Sequence, residues 1–260
     1  MKFLDKVIEH KIKEVENRKA VLPLEKLKEL IAEKKHERRP FLEVFQKGNG
    51  IICEIKPRSP SKGQLIFGSI EPIAEKYASS GADAISVLTD SEFFGGGLEN
   101  LKIVRDIVTQ PVLQKDFIVD EYQIYESALY GADAFLLIVA ALSKEKLEQF
   151  LKLGQSLNLD ILTEIHTQEE LEIALSIGAP LIGINNRDLE SLDVHLERTE
   201  ELAISIPKNI PFISESGIYT QEDVERVRKV GARGLLVGTS ILESENPQEQ
   251  IEKLKLALEN

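Results

Sequence analysis

The chain has 260 residues, of which 42% are hydrophobic and 29% are charged, a composition typical of a globular protein. It carries 32 Lys and Arg residues against 44 Asp and Glu residues, so its formal net charge of -12 disfavours nucleic acid and anionic membranes as partners. The single cysteine, Cys53, excludes an internal disulfide framework and any zinc or iron–sulfur site that needs several thiolates.

The segment up to about residue 50 predicts helices that precede the main body. Apolar residues recur at three- and four-residue steps in two stretches, Phe3 to Ile12 and Leu24 to Ile31, so we expect two helices. The segment lacks the apolar core of a signal peptide, and no apolar run reaches the roughly 20 residues that span a bilayer. We therefore expect a cytoplasmic protein.

From residue 51 onward, short β-branched apolar runs alternate with amphipathic stretches. Eight runs predict strands: 51–56, 84–89, 111–115, 134–140, 160–165, 181–185, 211–216 and 234–238. Continuous apolar runs are typical of strands covered on both faces, as in a parallel sheet with helical crossovers. The run ends lie on average about 26 residues apart, which fits one strand, one helix and two loops.

A Gly-Ala pair recurs before four of these runs, at Gly81, Gly131, Gly178 and Gly231. Each glycine suits a left-handed helix C-cap and marks the passage from a helix to a strand. Eight such units favour a closed barrel over an open doubly wound sheet, and no dinucleotide-binding GxGxxG turn follows the first strand. We predict an α/β fold, a single (β/α)8 TIM barrel domain over residues 1–260, of which 1 to about 50 form an N-terminal helical extension.

Such barrels build their active sites at the carboxyl ends of the strands, where charged and amide side chains gather in this sequence. They are Glu54, Lys56, Lys115, Glu164, Asn185, Arg187 and Glu215. Taken singly, each could be part of a structural ion pair. Glu54 and Lys56, however, share one face of an apolar run, where an unpaired charge is costly. Cys53 alternates to the opposite face, so we expect it to pack under a helix.

Two further stretches suit substrate binding. Gly238 and Thr239 close the last apolar run, where barrels often bind phosphate, and Ser216 with Gly217 follows the seventh strand. A simple turn with a hydroxyl N-cap is the alternative interpretation.

The basic loop 57–63, which contains Ser59, supplies positive charge that the acidic chain otherwise lacks, although a solvated surface turn would look the same. Phe93 and Phe94 offer rings for a flat apolar substrate, or else anchor their loop.

The histidines do not form a metal-binding pattern. His10 and His36 fall in the N-terminal helices, His195 follows the sixth strand, and His166 alone stands near the strand ends. Because no HxH or HExxH spacing occurs, we expect no metal site, and lysine and glutamate must carry any acid–base chemistry.

Several motifs resemble those of the indole-3-glycerol phosphate synthase family, and they cover nearly the whole chain in order. They are FLDKVIEHKIKEVENRK (3–19), EIKPRSPSKG (54–63), VLQKDFIVDEYQ (112–123), ADAFLLIVAAL (132–142), LIGINNRDLE (181–190), SESGI (214–218) and LLVGTS (235–240). The resemblance implies ring closure of 1-(2-carboxyphenylamino)-1-deoxyribulose 5-phosphate to indole-3-glycerol phosphate in tryptophan biosynthesis, with loss of CO2 and water. It implies a small-molecule substrate and no cofactor or metal.

The resemblance also implies roles for the acid–base residues. Lys115 would protonate or polarise the carbonyl oxygen during ring closure. Lys56 would bind the substrate carboxylate and act as the acid that expels water, and Glu164 would be the base. Glu54 and Glu215 would orient the lysines or bind substrate hydroxyls.

The remaining family positions would hold the substrate. Asn185 and Arg187 would hold the anthranilate carboxylate or the loop around it. The phosphate and the rings would rest on the other predicted binding residues, which are Ser59, Phe94, Ser216, Gly217, Gly238 and Thr239.

Two alternatives stay open. One is a different phosphosugar enzyme on the same barrel, such as an isomerase or a Schiff-base aldolase that uses Lys115 or Lys56. The other is a catalytically silent barrel that binds a phosphosugar or a partner enzyme. The sequence assigns no partner enzyme of the pathway.

Overall fold

The computed structural model describes residues 2–34 and 37–259, so the prediction for His36 lies outside the described residues. Over these residues eight parallel strands form a closed barrel in chain order, and the last strand pairs with the first. The strands are β1 (Gly50–Ile55), β2 (Ala84–Leu88), β3 (Val112–Lys115), β4 (Ala134–Ile138), β5 (Asp160–Ile165), β6 (Ile182–Asn185), β7 (Phe212–Glu215) and β8 (Gly234–Val237). All eight predicted strands are confirmed.

Helices alternate with these strands and cover the barrel. They are α4 (Glu71–Ser79), α5 (Leu98–Ile107), α6 (Glu121–Tyr130), α7 (Lys144–Ser156), α8 (Gln168–Ser176), α9 (Glu197–Ala203), α10 (Gln221–Lys229), α11 (Thr239–Leu242) and α12 (Pro247–Glu259). The four glycines predicted to end helices have φ between +74° and +102°, the left-handed region in which glycine is favoured. The predicted (β/α)8 TIM barrel is confirmed.

The N-terminal extension contains one helix more than predicted. The described residues before β1 form α1 (Phe3–Val21), α2 (Leu24–Glu33) and α3 (Phe41–Lys47), so the expectation of two helices was wrong. Helix α3 has seven residues, too few for a helical period to show in the sequence. A helix this short depends on tertiary packing for its stability.

That packing closes the amino-terminal end of the barrel. Phe41 and Phe45 are fully buried among the inward-facing side chains, and their ring centroids lie 5.2 Å apart. A methyl group on Gly50 or Gly234, which pair where β1 meets β8, would lie 2.8 or 2.7 Å from ring carbons of Phe45. The two glycines therefore leave the space that Phe45 occupies. We call Phe41 and Phe45 together the barrel plug.

Side chains of each strand alternate between the barrel interior and the layer beneath the helices. In β1, Ile52 belongs to the interior core, whereas Ile51 and Cys53 belong to the core under the helices. Cys53 is fully buried there, as predicted, and burial raises the pKa of its thiol. No helix of the described part of the chain is long and apolar enough to cross a membrane.

Candidate active site

A cleft opens at the carboxyl end of the barrel, above the inward-facing apolar side chains. The predicted site residues all lie in its lining: Glu54, Lys56, Ser59, Phe94, Lys115, Glu164, Asn185, Arg187, Glu215, Ser216, Gly217, Gly238 and Thr239. The lining also contains Phe3, because helix α1 of the N-terminal extension reaches the cleft. The strand ends and the extension therefore meet at one place.

Lys115 lies at the centre of the acid–base groups. Its Nζ donates to Oε2 of Glu164 at 2.8 Å and to Oε2 of Glu215 at 2.9 Å. The three side chains come from β3, β5 and β7, and alternate strands of such a barrel place inward-facing side chains in one layer. Both carboxyl groups are almost fully buried, so these contacts are poorly screened by water.

Burial and neighbouring charges act in opposite directions on these pKa values. Burial opposes the charge of Lys115, but Glu164, Glu215 and Glu54 outweigh it and raise the lysine pKa well above its usual range. Burial also opposes the charge of Glu164, yet Lys115 and His166 hold its pKa well below the usual range. Burial raises the pKa of Glu215 to about 7, and the nearby charge of Glu164 adds to the shift.

Glu215 accepts the hydrogen bond from Lys115 through its Oε2. Its Oε1 is buried and has no hydrogen-bond partner among the described residues. It lies against Gly183 of β6, where an added methyl group would overlap Oε1 and stand 3.2 Å from Cδ. Gly183 therefore makes room for this carboxyl group.

Lys56 and Glu54 form a second acid–base pair. Nζ of Lys56 donates to Oε2 of Glu54, and both side chains are largely buried. At the end of β8, a methyl group on Gly238 would lie 2.5 Å from the same oxygen. Gly238 therefore lets the last strand approach the pair closely.

His166 is a site residue that the sequence analysis did not select. Its Nε2 lies 3.4 Å from Oε1 of Glu164 and its Nδ1 lies 3.2 Å from Oε2 of Glu170. Burial lowers the proton affinity of the ring, but hydrogen bonds to the two glutamates raise its pKa to about 9. Its position two residues after Glu164 was the signal available in the sequence.

The two adjacent phenylalanines have different environments. Phe94 lines the cleft, whereas Phe93 packs edge-on against Phe3 and His10 of α1, with ring centroids 5.6 and 5.8 Å away. The backbone N–H of Arg58 donates to the carbonyl of Phe94 at 2.9 Å, which joins this loop to the loop after β1. One ring therefore faces the cleft and the other anchors the loop.

Asn185 and Arg187 are linked to each other and to the loop after β6. Oδ1 of Asn185 accepts the backbone N–H of Arg187 at 3.0 Å, and Nη1 of Arg187 donates to the carbonyl of Leu192 at 2.7 Å. The arginine is partly exposed and lines the cleft. It brings a cation to the part of the cleft at the end of β6.

Hydroxyl groups and glycines gather where the loop after β1 meets the ends of β7 and β8. Ser216 and Gly217 have φ of +65° and +82°, so the chain turns sharply after β7. Thr239 and Ser240 begin α11, and Oγ of Ser240 is buried without a hydrogen-bond partner in the described ranges. Unpaired donors of this kind suit an anionic ligand group.

Comparisons with known proteins agree with this architecture. The family model described as indole-3-glycerol phosphate synthase matches residues 4–254. A curated relative of that name from Thermoanaerobacter sp. (strain X514) is 47% identical over 243 residues, which cover 92% of each chain. Another from Chloroherpeton thalassium is 45% identical over 254 residues, 94% of this chain and 96% of the relative.

A solved structure shows the same fold at much lower identity. Thiamine phosphate pyrophosphorylase from Pyrococcus furiosus superposes with a TM-score of 0.62 over 82% of this chain and 97% of that chain, at 17% identity. That similarity supports the barrel alone, whereas the family match and the closely similar sequences extend over the site. The chain therefore belongs to the indole-3-glycerol phosphate synthase family.

Proposed function

We propose that this chain converts 1-(2-carboxyphenylamino)-1-deoxyribulose 5-phosphate into indole-3-glycerol phosphate, CO2 and water. The names of its relatives, indole-3-glycerol phosphate synthase, support the product. The observation that carries the proposal is Lys115, held between Glu164 and Glu215 in a cleft that also presents Lys56. Ring closure at a ketone and loss of water both require proton donors, and these lysines are suited to supply them.

In the first step, the aromatic carbon that bears the carboxylate attacks the ketone carbon of the sugar. Negative charge then develops on the ketone oxygen, and Lys115 delivers its proton there. The carboxylates of Glu164 and Glu215 keep Lys115 protonated across neutral pH, so the acid is present before substrate binds. The step forms one carbon–carbon bond and leaves the new hydroxyl group on the sugar carbon.

Loss of CO2 returns the bonding electrons to the ring and restores its aromaticity. Lys56 then protonates the hydroxyl group as it leaves as water, and Glu164 removes a proton from the neighbouring carbon, which is bound to the ring nitrogen. The electrons of that C–H bond form the double bond of the new ring. The low pKa of Glu164 keeps it ionised for this role. Glu54 orients Lys56 through their hydrogen bond, and Glu215 orients Lys115 or binds a substrate hydroxyl.

The substrate's two anionic ends require separate contacts in an acidic protein. The phosphate would rest on Ser59, Gly217, Gly238 and Thr239, beside the unpaired hydroxyl of Ser240. The anthranilate end requires cations and a ring. Other residues of the cleft lining supply them, namely Lys56, Phe94 and Arg187, and Asn185 and Ser216 complete the predicted binding set.

A Schiff-base mechanism fits the site less well. A lysine that attacks a carbonyl must lose its proton first, and such lysines have a lowered pKa. The carboxylates around Lys115 raise its pKa instead.

We also propose that residues 1–260 form one domain, because Phe3 of α1 lines the cleft of the barrel. We propose a cytoplasmic location, because a chain with a single thiol suits a reducing compartment.

The test is to mix the purified chain with the carboxyphenylamino substrate in EDTA and to follow the indole fluorescence of the product. The chain has no tryptophan, so its own emission comes from five tyrosines and does not obscure the signal. We expect Lys115→Met to lower kcat by about 10²- to 10⁴-fold. The matched control is Lys102→Met, at an exposed position of α5, which we expect to keep the wild-type rate.

Each alternative gives a different result. A silent barrel would bind the substrate and yield no fluorescence, and that outcome would overturn the proposal. A Schiff-base enzyme would be inactivated by borohydride in the presence of substrate, whereas the proposed synthase would not.

A further inference from the structure

Lys11 of helix α1 is fully buried, although it belongs to the N-terminal extension and not to the barrel. Its Nζ lies 2.8 Å from Oδ2 of Asp90 and 2.9 Å from Oδ1 of Asp116, and Glu14 of the same helix stands 2.8 Å away. Both aspartates are also buried. Lysine is seldom fully buried without ion pairs, so this cluster is a specific arrangement.

The two aspartates hold backbone at two strand ends. Asp116 directly follows Lys115, the last residue of β3, and its side chain accepts the N–H of Phe117 at 2.8 Å and the hydroxyl of Thr89 at 2.6 Å. It therefore determines where the chain turns immediately after the proposed catalytic lysine.

Asp90 follows β2 and accepts the backbone N–H groups of Phe93 and Phe94 at 2.7 and 3.2 Å. It therefore shapes the loop that presents Phe94 to the cleft. Helix α1 contacts the same loop again through the edge-on ring pairs that Phe3 and His10 make with Phe93.

The charges make this arrangement depend on Lys11. Without its ammonium group, Asp90 and Asp116 would be two carboxylates that lie near one buried point with no cation between them. They would repel each other, or one would take up a proton, and either change would alter the hydrogen bonds at both strand ends. The disturbance would reach Lys115 through its neighbour in the chain.

We propose that Lys11 is a positioning residue for the reaction. It joins the ends of β2 and β3 and so holds Lys115 and Phe94 at the distance from each other that the reaction needs. This inference rests on the proposed function. It makes the N-terminal extension part of the machinery that aligns the site, since the extension supplies the only cation that contacts both aspartates among the described residues.

The test compares Lys11→Met with Lys13→Met by kcat, KM and thermal unfolding. Lys13 lies on the same helix, is 70% exposed and pairs with an exposed glutamate, so its substitution is the matched control. We expect Lys11→Met to lower kcat at least tenfold at a temperature where the variant is fully folded, because misplacement by about 1 Å can cost about 10²-fold. Lys13→Met should behave as wild type.

A role in stability alone would lower the melting temperature and leave kcat and KM of the folded protein unchanged, and that result would overturn the proposal. If Lys11→Met does not fold, the variant Lys11→Gln removes the cation and leaves a polar side chain beside both aspartates. A reduced kcat in this folded variant supports the proposal, and a wild-type kcat overturns it. If the wild-type chain itself forms no product, the proposed function fails first, and this inference fails with it.

Discussion

Replacing Gly183 by alanine would test whether the carboxyl group of Glu215 has to lie where the structure places it. The added methyl group would overlap Oε1 of Glu215 and would stand 3.2 Å from its Cδ and from Cδ1 of Leu162. Glu215 is the flexible partner in this clash, because its carboxyl group ends a rotatable side chain. We therefore expect the barrel to fold and the carboxyl group to move.

The size of the effect follows from the displacement. The worst clash is with Oε1, which would lie more than about 1 Å inside the normal contact distance of a methyl carbon, so the carboxyl group must move by about 1 Å. Its 2.9 Å hydrogen bond to Lys115 would then be lost or lengthened. A misplacement of this size costs about 10²-fold in rate, or about 2.7 kcal/mol of transition-state stabilisation. We expect kcat to fall by that factor.

The assay is a double-mutant cycle on kcat/KM, measured by product fluorescence. Gly183→Ala is made in the wild-type chain and in Glu215→Ala, where the methyl group has room. Gly97→Ala is the control, because no heavy atom lies within 4 Å of a methyl group there. If Gly183→Ala lowers kcat/KM equally in both backgrounds, the effect does not pass through Glu215 and the reasoning is wrong.

Three further predictions follow from burial and charge. Phe45→Ala should lower the free energy of unfolding by about 3–5 kcal/mol in urea titrations, because it empties the barrel plug, and a loss below about 1 kcal/mol would contradict that packing. Because the folded pKa of His166 is raised to about 9 from 6.5, its stabilisation is complete below pH 6.5 and disappears as the pH rises through 9. The difference in unfolding free energy between wild type and His166→Asn should therefore shrink over that range, and a constant difference would exclude the charged pairs. Cys53 should react with a thiol reagent at the rate of unfolding, and fast labelling of the native chain would contradict its burial.

The barrel and its inward-facing charges were predictable because both depend on short-range patterns. Strand alternation placed Glu54 inward and Cys53 outward, and continuous apolar runs indicated strands covered on both faces. The gathering of Lys115, Glu164 and Glu215 followed from the general rule that strand ends meet at one end of a barrel. The separate roles of those residues remain predictions.

Features that depend on long-range packing were missed. Lys11 resembled any other lysine of a polar helix, since its partners Asp90 and Asp116 are distant in the chain. His166 was not selected, because its contacts with Glu164 and Glu170 depend on the positions of side chains and its place after Glu164 gave only a weak signal. Helix α3 is too short to show a helical period in the sequence. Its Phe45 packs into space that glycines of β1 and β8 leave, and the sequence of α3 does not reveal that contact.

The plug at the base of the barrel has a consequence for biosynthesis on the ribosome. Phe45 rests against Gly50 and Gly234, which pair where β1 meets β8, and β8 is the last strand to be translated. A chain arrested before Gly234 already contains every proposed acid–base side chain, from Glu54 to Glu215, yet it cannot close the sheet or seat its plug. Such a nascent chain exposes apolar surface and two unpaired strand edges, so it requires protection from aggregation until translation ends.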